Sequence, residues 1–236
     1  MESELNKFKS MRIGVLAKYD WYLSDALEVF RHSAHEVMTF NSLAAFQMEI
    51  EQNPTFDVLF LPHFSELLPA QIYETYECIG FHTGDLPRDR GGSPIQHKIL
   101  LGQYTTTVSA FKLGDGIDSG PIYLQEIIDL SQGNLDEILC NLSRICADMM
   151  LKIIENQPQP VDQIGDFELR TRRRPDDSLL SSHCESLRSL YDFIRMLDGV
   201  DYPRAYLNLG EYKIEFTSAV FSDDEITTKC VIKKKG

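Results

Sequence analysis

The run Asp57-Val58-Leu59-Phe60-Leu61 is apolar after its first residue and stops at Pro62. A short strand that is apolar on both faces must be buried on both, as in a parallel sheet covered by helices. Met11 to Ala17 (Met-Arg-Ile-Gly-Val-Leu-Ala) has the same character and reads as a first strand. Glu77-Cys78-Ile79-Gly80-Phe81 reads as a third, and Thr106 to Phe111 and Ile122 to Ile128 supply two more. Helical spacing of Leu27, Phe30 and Ala34 predicts a helix over Ser24 to Ser33. Strands alternating with helices predict an α/β fold built on an open, mostly parallel sheet.

Two further helix starts carry capping chemistry. Ser93-Pro94-Ile95-Gln96 offers a serine cap, a proline at the first helical position and a glutamine three residues after the cap. Asn134-Leu135-Asp136-Glu137 is a similar box and opens an amphipathic helix with Ile138, Leu142, Ile145 and Met149 on one face. Gln157-Pro158-Gln159-Pro160 breaks the pattern. A boundary there divides the 236 residues into a catalytic domain, 1–160, and a small C-terminal α+β module, 161–236. In the module, Leu187, Leu190, Tyr191, Ile194 and Leu197 mark a helix ended by Gly199. Ala205 to Val220 and Thr227 to Lys233 read as strands.

Charge narrows the partners. The net charge is −13, which repels phosphate backbones, so no nucleic-acid partner is expected. The dense basic clusters are Arg172-Arg173-Arg174 and Lys233-Lys234-Lys235. The five cysteines are odd in number and form no Cys-x-x-Cys pair, which argues against a disulfide framework or a zinc site. No run approaches the ~20 apolar residues that a membrane helix needs. Met1 to Lys7 lacks a secretory signal's apolar stretch, and a cytoplasmic protein is expected.

The chemistry concentrates in two loops. Phe81-His82-Thr83-Gly84-Asp85-Leu86-Pro87-Arg88-Asp89-Arg90-Gly91-Gly92-Ser93-Pro94 leaves a buried strand and enters a helix. Ligands of open α/β sheets bind outside the C-terminal strand ends, where His82 is expected. Lys112-Leu113-Gly114-Asp115-Gly116-Ile117-Asp118-Ser119-Gly120-Pro121 leaves another strand and brings two carboxylates in a glycine-rich turn. A carboxylate beside a histidine fixes the ring's tautomer and stabilises its charged form.

These two loops resemble those of the folate-dependent formyltransferases. His82 to Pro94 is similar to the family pattern H-x-S-x-L-P-x-x-x-G-x-x-P, and Gly116-Ile117-Asp118-Ser119-Gly120 is similar to its G-x-D-[ST]-G element. Their separation resembles that of the methionyl-tRNA formyltransferase branch, and the resemblance covers roughly residues 11 to 155. It implies a Rossmann-like domain, with N10-formyltetrahydrofolate as co-substrate. It also implies attack of an amine on the formyl carbon, a tetrahedral oxyanion, and departure of tetrahydrofolate. Matched residue by residue, the catalytic histidine is His82 and the aspartate is Asp118. The family asparagine two residues before the histidine is Gly80 here. Losing an oxyanion donor costs about 100- to 1000-fold in rate. Either Thr83, a backbone N–H or a water substitutes, or a cationic His82 carries more of the charge, or the chain binds without catalysing.

The resemblance places Leu67, Leu68, Arg90, Gly91, Leu113, Gly114, Asp115 and Gly116 around the folate. Leu67 and Leu68 serve as pocket walls or as ordinary core. Asp115 is a turn residue or part of the pterin loop. Arg88 and Arg90 meet an acidic substrate or the folate glutamate, or stay solvated. His63 and Ser65, on the preceding loop, are further candidates for facing the site. On the acceptor side stand Asp85, Arg172, Arg174, Tyr202 and Arg204, with the arginine cluster either binding a diphosphate or pairing with Asp176 and Asp177. The form His-x-x-Asp-Leu-Pro-x-x-Arg-Gly-Gly-Ser-Pro-Ile-Gln resembles amino-sugar N-formyltransferases of the pseudaminic-acid-pathway type. That likeness implies a small-molecule acceptor, a nucleotide-linked 4-amino-4,6-dideoxy hexose of surface-glycan synthesis, and a homodimer. The competing expectations are a formyltetrahydrofolate hydrolase, and a folate- or sugar-binding protein without catalysis.

Overall fold

Alternation along the first strand sends Ile13, Val15 and Ala17 to one side of a sheet and Leu16 to the other, and both sides are buried. In the computed structural model, which describes residues 10–180 and 184–235, that strand is β1 (Arg12–Leu16). The expectation on Met1 to Lys7 lies outside the described residues. The chain continues through α1 (Asp20–Phe30), β2 (Glu36–Phe40), α2 (Leu43–Gln52), β3 (Val58–Leu61), α3 (Ala70–Thr75) and β4 (Cys78–Thr83). Then come β5 (Asp89–Gly91), α4 (Pro94–Leu100), β6 (Thr105–Lys112), β7 (Ile122–Asp129) and α5 (Leu135–Asn156). The last part holds β8 (Glu168–Arg170), α6 (Leu187–Arg195), β9 (Tyr206–Leu209), β10 (Tyr212–Phe221) and β11 (Ile226–Lys234).

The central sheet has the order β2-β1-β3-β4-β6-β7. β2, β1, β3 and β4 are parallel, and β6 and β7 run antiparallel. This is the Rossmann-like, mostly parallel sheet that the sequence predicts, and β9 to β11 form a small antiparallel sheet beyond it. One sheet face packs on α1 and α5 through residues such as Phe30, Leu142, Met149 and Ile153. The other packs on α2 and α3 through Phe46 and Ile72. Among the described residues, no helix is long and apolar enough to cross a membrane.

Two local expectations meet different fates. The box at Asn134 forms: its side chain accepts from the Glu137 N–H, and Glu137 accepts from the Asn134 N–H. Ser93 does not cap α4. Its backbone is left-handed (φ 53°), which turns the hydroxyl away from the helix, where it accepts from the Arg173 N–H at 3.0 Å. Gln96 is buried and donates instead to the Met196 carbonyl at 3.3 Å. The stretch read as one strand from Ala205 to Val220 is a hairpin that turns between Leu209 and Tyr212.

Candidate functional site

Strand alternation puts Cys78, Gly80 and His82 on one face of β4. His82 lies inside the strand rather than past its end, and it is only 6% exposed. Its Nδ1 is 3.2 Å from Asp118 Oδ2, and its Nε2 is 2.7 Å from the main-chain oxygen of Asp89. Both neighbours are acceptors. A carbonyl cannot donate, so Nε2 carries a hydrogen. The ring is thus held at Nε2 by the Asp89 carbonyl, while Nδ1 faces the Asp118 carboxylate. Asp118 Oδ2 also accepts from the Gly91 N–H at 2.9 Å, and its backbone is left-handed (φ 49°), a conformation few non-glycine residues adopt.

The loop after β4 curls over the imidazole. A Cβ on Gly84 would stand 2.6 Å from His82 Nε2, so the loop passes there only as glycine. Asp89, whose carbonyl meets the ring, is held by its side chain. Lys98 Nζ lies 2.7 Å from Asp89 Oδ2 and 2.6 Å from Asp85 Oδ2, and Arg170 Nη2 lies 3.2 Å from Asp89 Oδ1. Burial pushes the carboxyls of Asp85 and Asp89 up. Lys98 outweighs it at both, with Arg170 helping at Asp89, and both end below their usual range.

A strap from beyond α5 completes the site. Val161 bridges to Ile122, and β8 pairs in parallel with β5. Gln163 Nε2 donates to the main-chain oxygens of Asp118 (2.9 Å) and Gly120 (2.8 Å), and its Oε1 accepts from Arg90 at 2.8 Å. Gly91 has φ 101°, and a Cβ there would lie 2.3 Å from the Arg170 carbonyl oxygen. Lys98, Gln163 and Arg170 do not stand out in the sequence. A lysine between Ile95 and Ile99 on an apolar helix face, with Asp85 and Asp89 upstream, is the one signal that points to Lys98. Gln163 sits in irregular chain and leaves none.

The residues expected around the folate divide. Leu68 and Leu113 are half-buried against the core of the α2–α3 face. Tyr73 donates to Asp115 at 2.8 Å, which ties α3 to the glycine-rich turn. Nothing lies within 4 Å of a Cβ built on Gly114, and Gly116 is exposed. Leu67 is 94% exposed. Arg90 is committed to Gln163 and stacks its guanidinium 4.5 Å over Phe167. At Gly80, a Cβ would meet Leu113 Cδ2 at 2.9 Å and the Phe111 ring at 3.1 Å, so these side chains fill the place of an asparagine. Thr83 is buried, and the pleat turns its side chain to the opposite face from His82.

The acceptor-side expectations divide as well. Asp85 is not free for an amine, being engaged by Lys98, Thr106, the Thr107 N–H and Arg88. Arg204 pairs with Asp198 at 2.6 Å. Arg174 opens the short 3-10 turn Pro175–Ser178, its N–H donating to Asp177 at 2.6 Å while its side chain is exposed. Arg172 is exposed and, among the described residues, has no carboxylate within salt-bridge reach; Tyr202 is half-buried near it.

The family described as "Formyl transferase" matches residues 24–141, and "Methionyl-tRNA formyltransferase, C-terminal domain" matches residues 175–233. A methionyl-tRNA formyltransferase of Wolbachia strain wRi is 32% identical over 172 residues, which are 70% of this chain and 55% of that protein. The chain thus spans about half the length of the curated relatives it matches. A solved methionyl-tRNA formyltransferase from Clostridium thermocellum superposes with TM-score 0.89 at 32% identity, covering 95% of this chain and 99% of that one. A sugar N-formyltransferase from a Shewanella species shares the fold, with TM-score 0.67 at 15% identity over 88% of this chain and 97% of that one.

Proposed function

Because the chain belongs to the formyl transferase family, we propose that it moves a formyl group from N10-formyltetrahydrofolate, the donor that family uses, to an amine. The observation that carries this reading is the His82–Asp118 pair, 3.2 Å apart at the C-terminal end of β4. The bound donor supplies an activated formyl carbonyl. Leu68, Leu113 and the exposed backbone of Gly114 to Gly116 would take its pterin end, an apolar wall beside solvent-facing main chain that suits a planar heterocycle. Asp118 is the more exposed member of the pair. It accepts the amine's proton, and His82 behind it shares the charge. With no side chain at Gly80, the charge of a protonated His82 is what this site offers to a developing oxyanion. The Gly91 N–H holds Asp118 in place throughout.

For the acceptor, we favour the amine of a nucleotide-linked amino sugar. The net charge of −13 opposes a polyanionic partner. A second reading, transfer to methionyl-tRNA, is favoured by the match at residues 175–233 and by the Clostridium thermocellum structure. One assay separates them: the purified protein is incubated with N10-formyltetrahydrofolate and either nucleotide-linked amino sugars or methionyl-tRNA, followed by mass and tetrahydrofolate release. A formylated sugar establishes the first reading and a formylated methionyl-tRNA the second. Formate release without either product overturns both in favour of a hydrolase.

A further inference from the structure

The loop that follows β4 is gathered on a buried cation. Lys98 lies on α4 between Ile95 and Ile99, and all three are buried. A lysine leaves water only where partners replace its hydration. Here the partners are two carboxylates of the one loop, with Nζ 2.6 Å from Asp85 Oδ2 and 2.7 Å from Asp89 Oδ2. The main chain draws the same loop tight. The Asp89 N–H donates to the Asp85 carbonyl at 3.1 Å, and the Thr107 hydroxyl donates to the Gly84 carbonyl at 2.9 Å. The Thr106 hydroxyl and the Thr107 N–H donate to the Asp85 carboxylate. From this closed turn the Asp89 carbonyl reaches His82 Nε2 at 2.7 Å.

The sheet itself does not need this arrangement, because His82 is already paired with Ser109 across β4 and β6. The turn is fitted to the ring. A Cβ on Gly84 would stand 2.6 Å from His82 Nε2 and 2.9 Å from the Asp89 carbonyl oxygen, so a side chain there would part the two. Two other cations face the turn. Arg170 meets Asp89 at 3.2 Å from the strap. Arg88 reaches both carboxylates from solvent, where a screened pair contributes little. Lys98 is the buried one that grips both. A carbonyl only accepts, so the neutral ring keeps its hydrogen on Nε2. The proton that comes and goes is then the one at Nδ1, which faces Asp118 at 3.2 Å.

We propose that Lys98 is a positioning residue for the reaction. By gripping Asp89 it holds the carbonyl that fixes His82 in its Nε2–H tautomer, and so directs the exchanging proton to Nδ1 and Asp118. The part in a reaction rests on the formyl-transfer reading above; the fixed tautomer does not.

The test reads the ring-nitrogen NMR resonances of His82 without donor or acceptor, at alkaline pH above the ordinary imidazole range. The signals are assigned by their loss in His82→Ala. His63 supplies a reference for a neutral ring, since burial, then Arg172, then Lys18 push it down to about 4. Wild-type protein should show one tautomer, with the hydrogen on Nε2. Lys98→Met should show a mixture of both, and its kcat should fall about 100-fold, as for a slightly misplaced catalytic group, with little change in the KM for N10-formyltetrahydrofolate. Asp89→Asn keeps the shape of the side chain and removes the charge that Lys98 grips. It should act in the same way, and it stands in for Lys98→Met if that variant does not fold. A single Nε2–H tautomer kept in either folded variant overturns the proposal, as does an unchanged kcat in a variant that has lost it. If the wild-type chain transfers no formyl group, the kcat comparison fails with that reading, while the tautomer comparison still reports on Lys98.

Discussion

His82 meets an acceptor at each ring nitrogen, so substitutions at this pair can separate shape from charge. Asp118→Asn keeps the outline of the side chain and the Gly91 contact but removes the group that takes a proton. Its kcat should fall about 100-fold or more, the range of general acid–base catalysis, with little change in thermal midpoint; near-normal turnover would remove the carboxyl from the mechanism. His82→Ala should abolish turnover in a folded protein, checked by circular dichroism beside the activity assay. Gly80→Asn is the reciprocal experiment. The restored side chain collides with Leu113 and Phe111, so we expect no gain in kcat and a loss of about 1–3 kcal/mol from overpacking. A large gain would mean that the neighbours yield and that the site is an ordinary one lacking its asparagine. His82 and Asp118 could be read from the sequence because each lies in a short motif whose spacing is local. The face that Thr83 takes was not legible, because motif spacing does not say which face of a pleat a residue takes.

At the scale of elements, the site depends on α4 and on the strap. Lys98 is 4% exposed and faces two carboxylates. Lys98→Met takes the buried cation from Asp89, leaving it only Arg170, and from the more exposed Asp85, leaving it Arg88, and should destabilise the protein, read as a lower urea midpoint. Gln163→Ala should act differently, because Gln163 is half-exposed and ties Asp118, Gly120 and Arg90 together. We expect kcat to fall about 10- to 100-fold, as for a slightly misplaced catalytic group, with urea stability nearly kept. A variant with unchanged kcat would reduce Gln163 to a loop tie. The strands and the Asn134 box were legible because burial and capping follow period and local spacing. The strap was not, because β8 owes its conformation to a partner far away in sequence, and the Ser93 hydroxyl to a backbone angle that no residue type announces.

For the whole molecule, the response to acid follows from groups on both sides of the site. His63 is held at about 4 against an ordinary 6.5, so the unfolded chain takes up that proton first. Stability should be fully present above pH 6.5 and decline from there toward about 4. Asp85 and Asp89 lie below their ordinary 3.8, so their contribution holds above that value and disappears as pH falls through their folded midpoints. Urea midpoints against pH should therefore fall in two stages. His63→Asn should flatten the upper stage and leave the lower; an unchanged upper stage would assign it to other groups. The pairing of β5 with β8 has a further consequence, for a chain emerging from the ribosome. The sheet and both loops are complete by the end of α5, yet Asp118 gains its Gln163 tie and Asp89 its Arg170 contact only when the strap arrives. The proline-rich stretch near residue 160 is thus a poor place to cut. A fragment ending there should be made early and folded in outline, with its reaction centre left unfinished until the next few turns of synthesis.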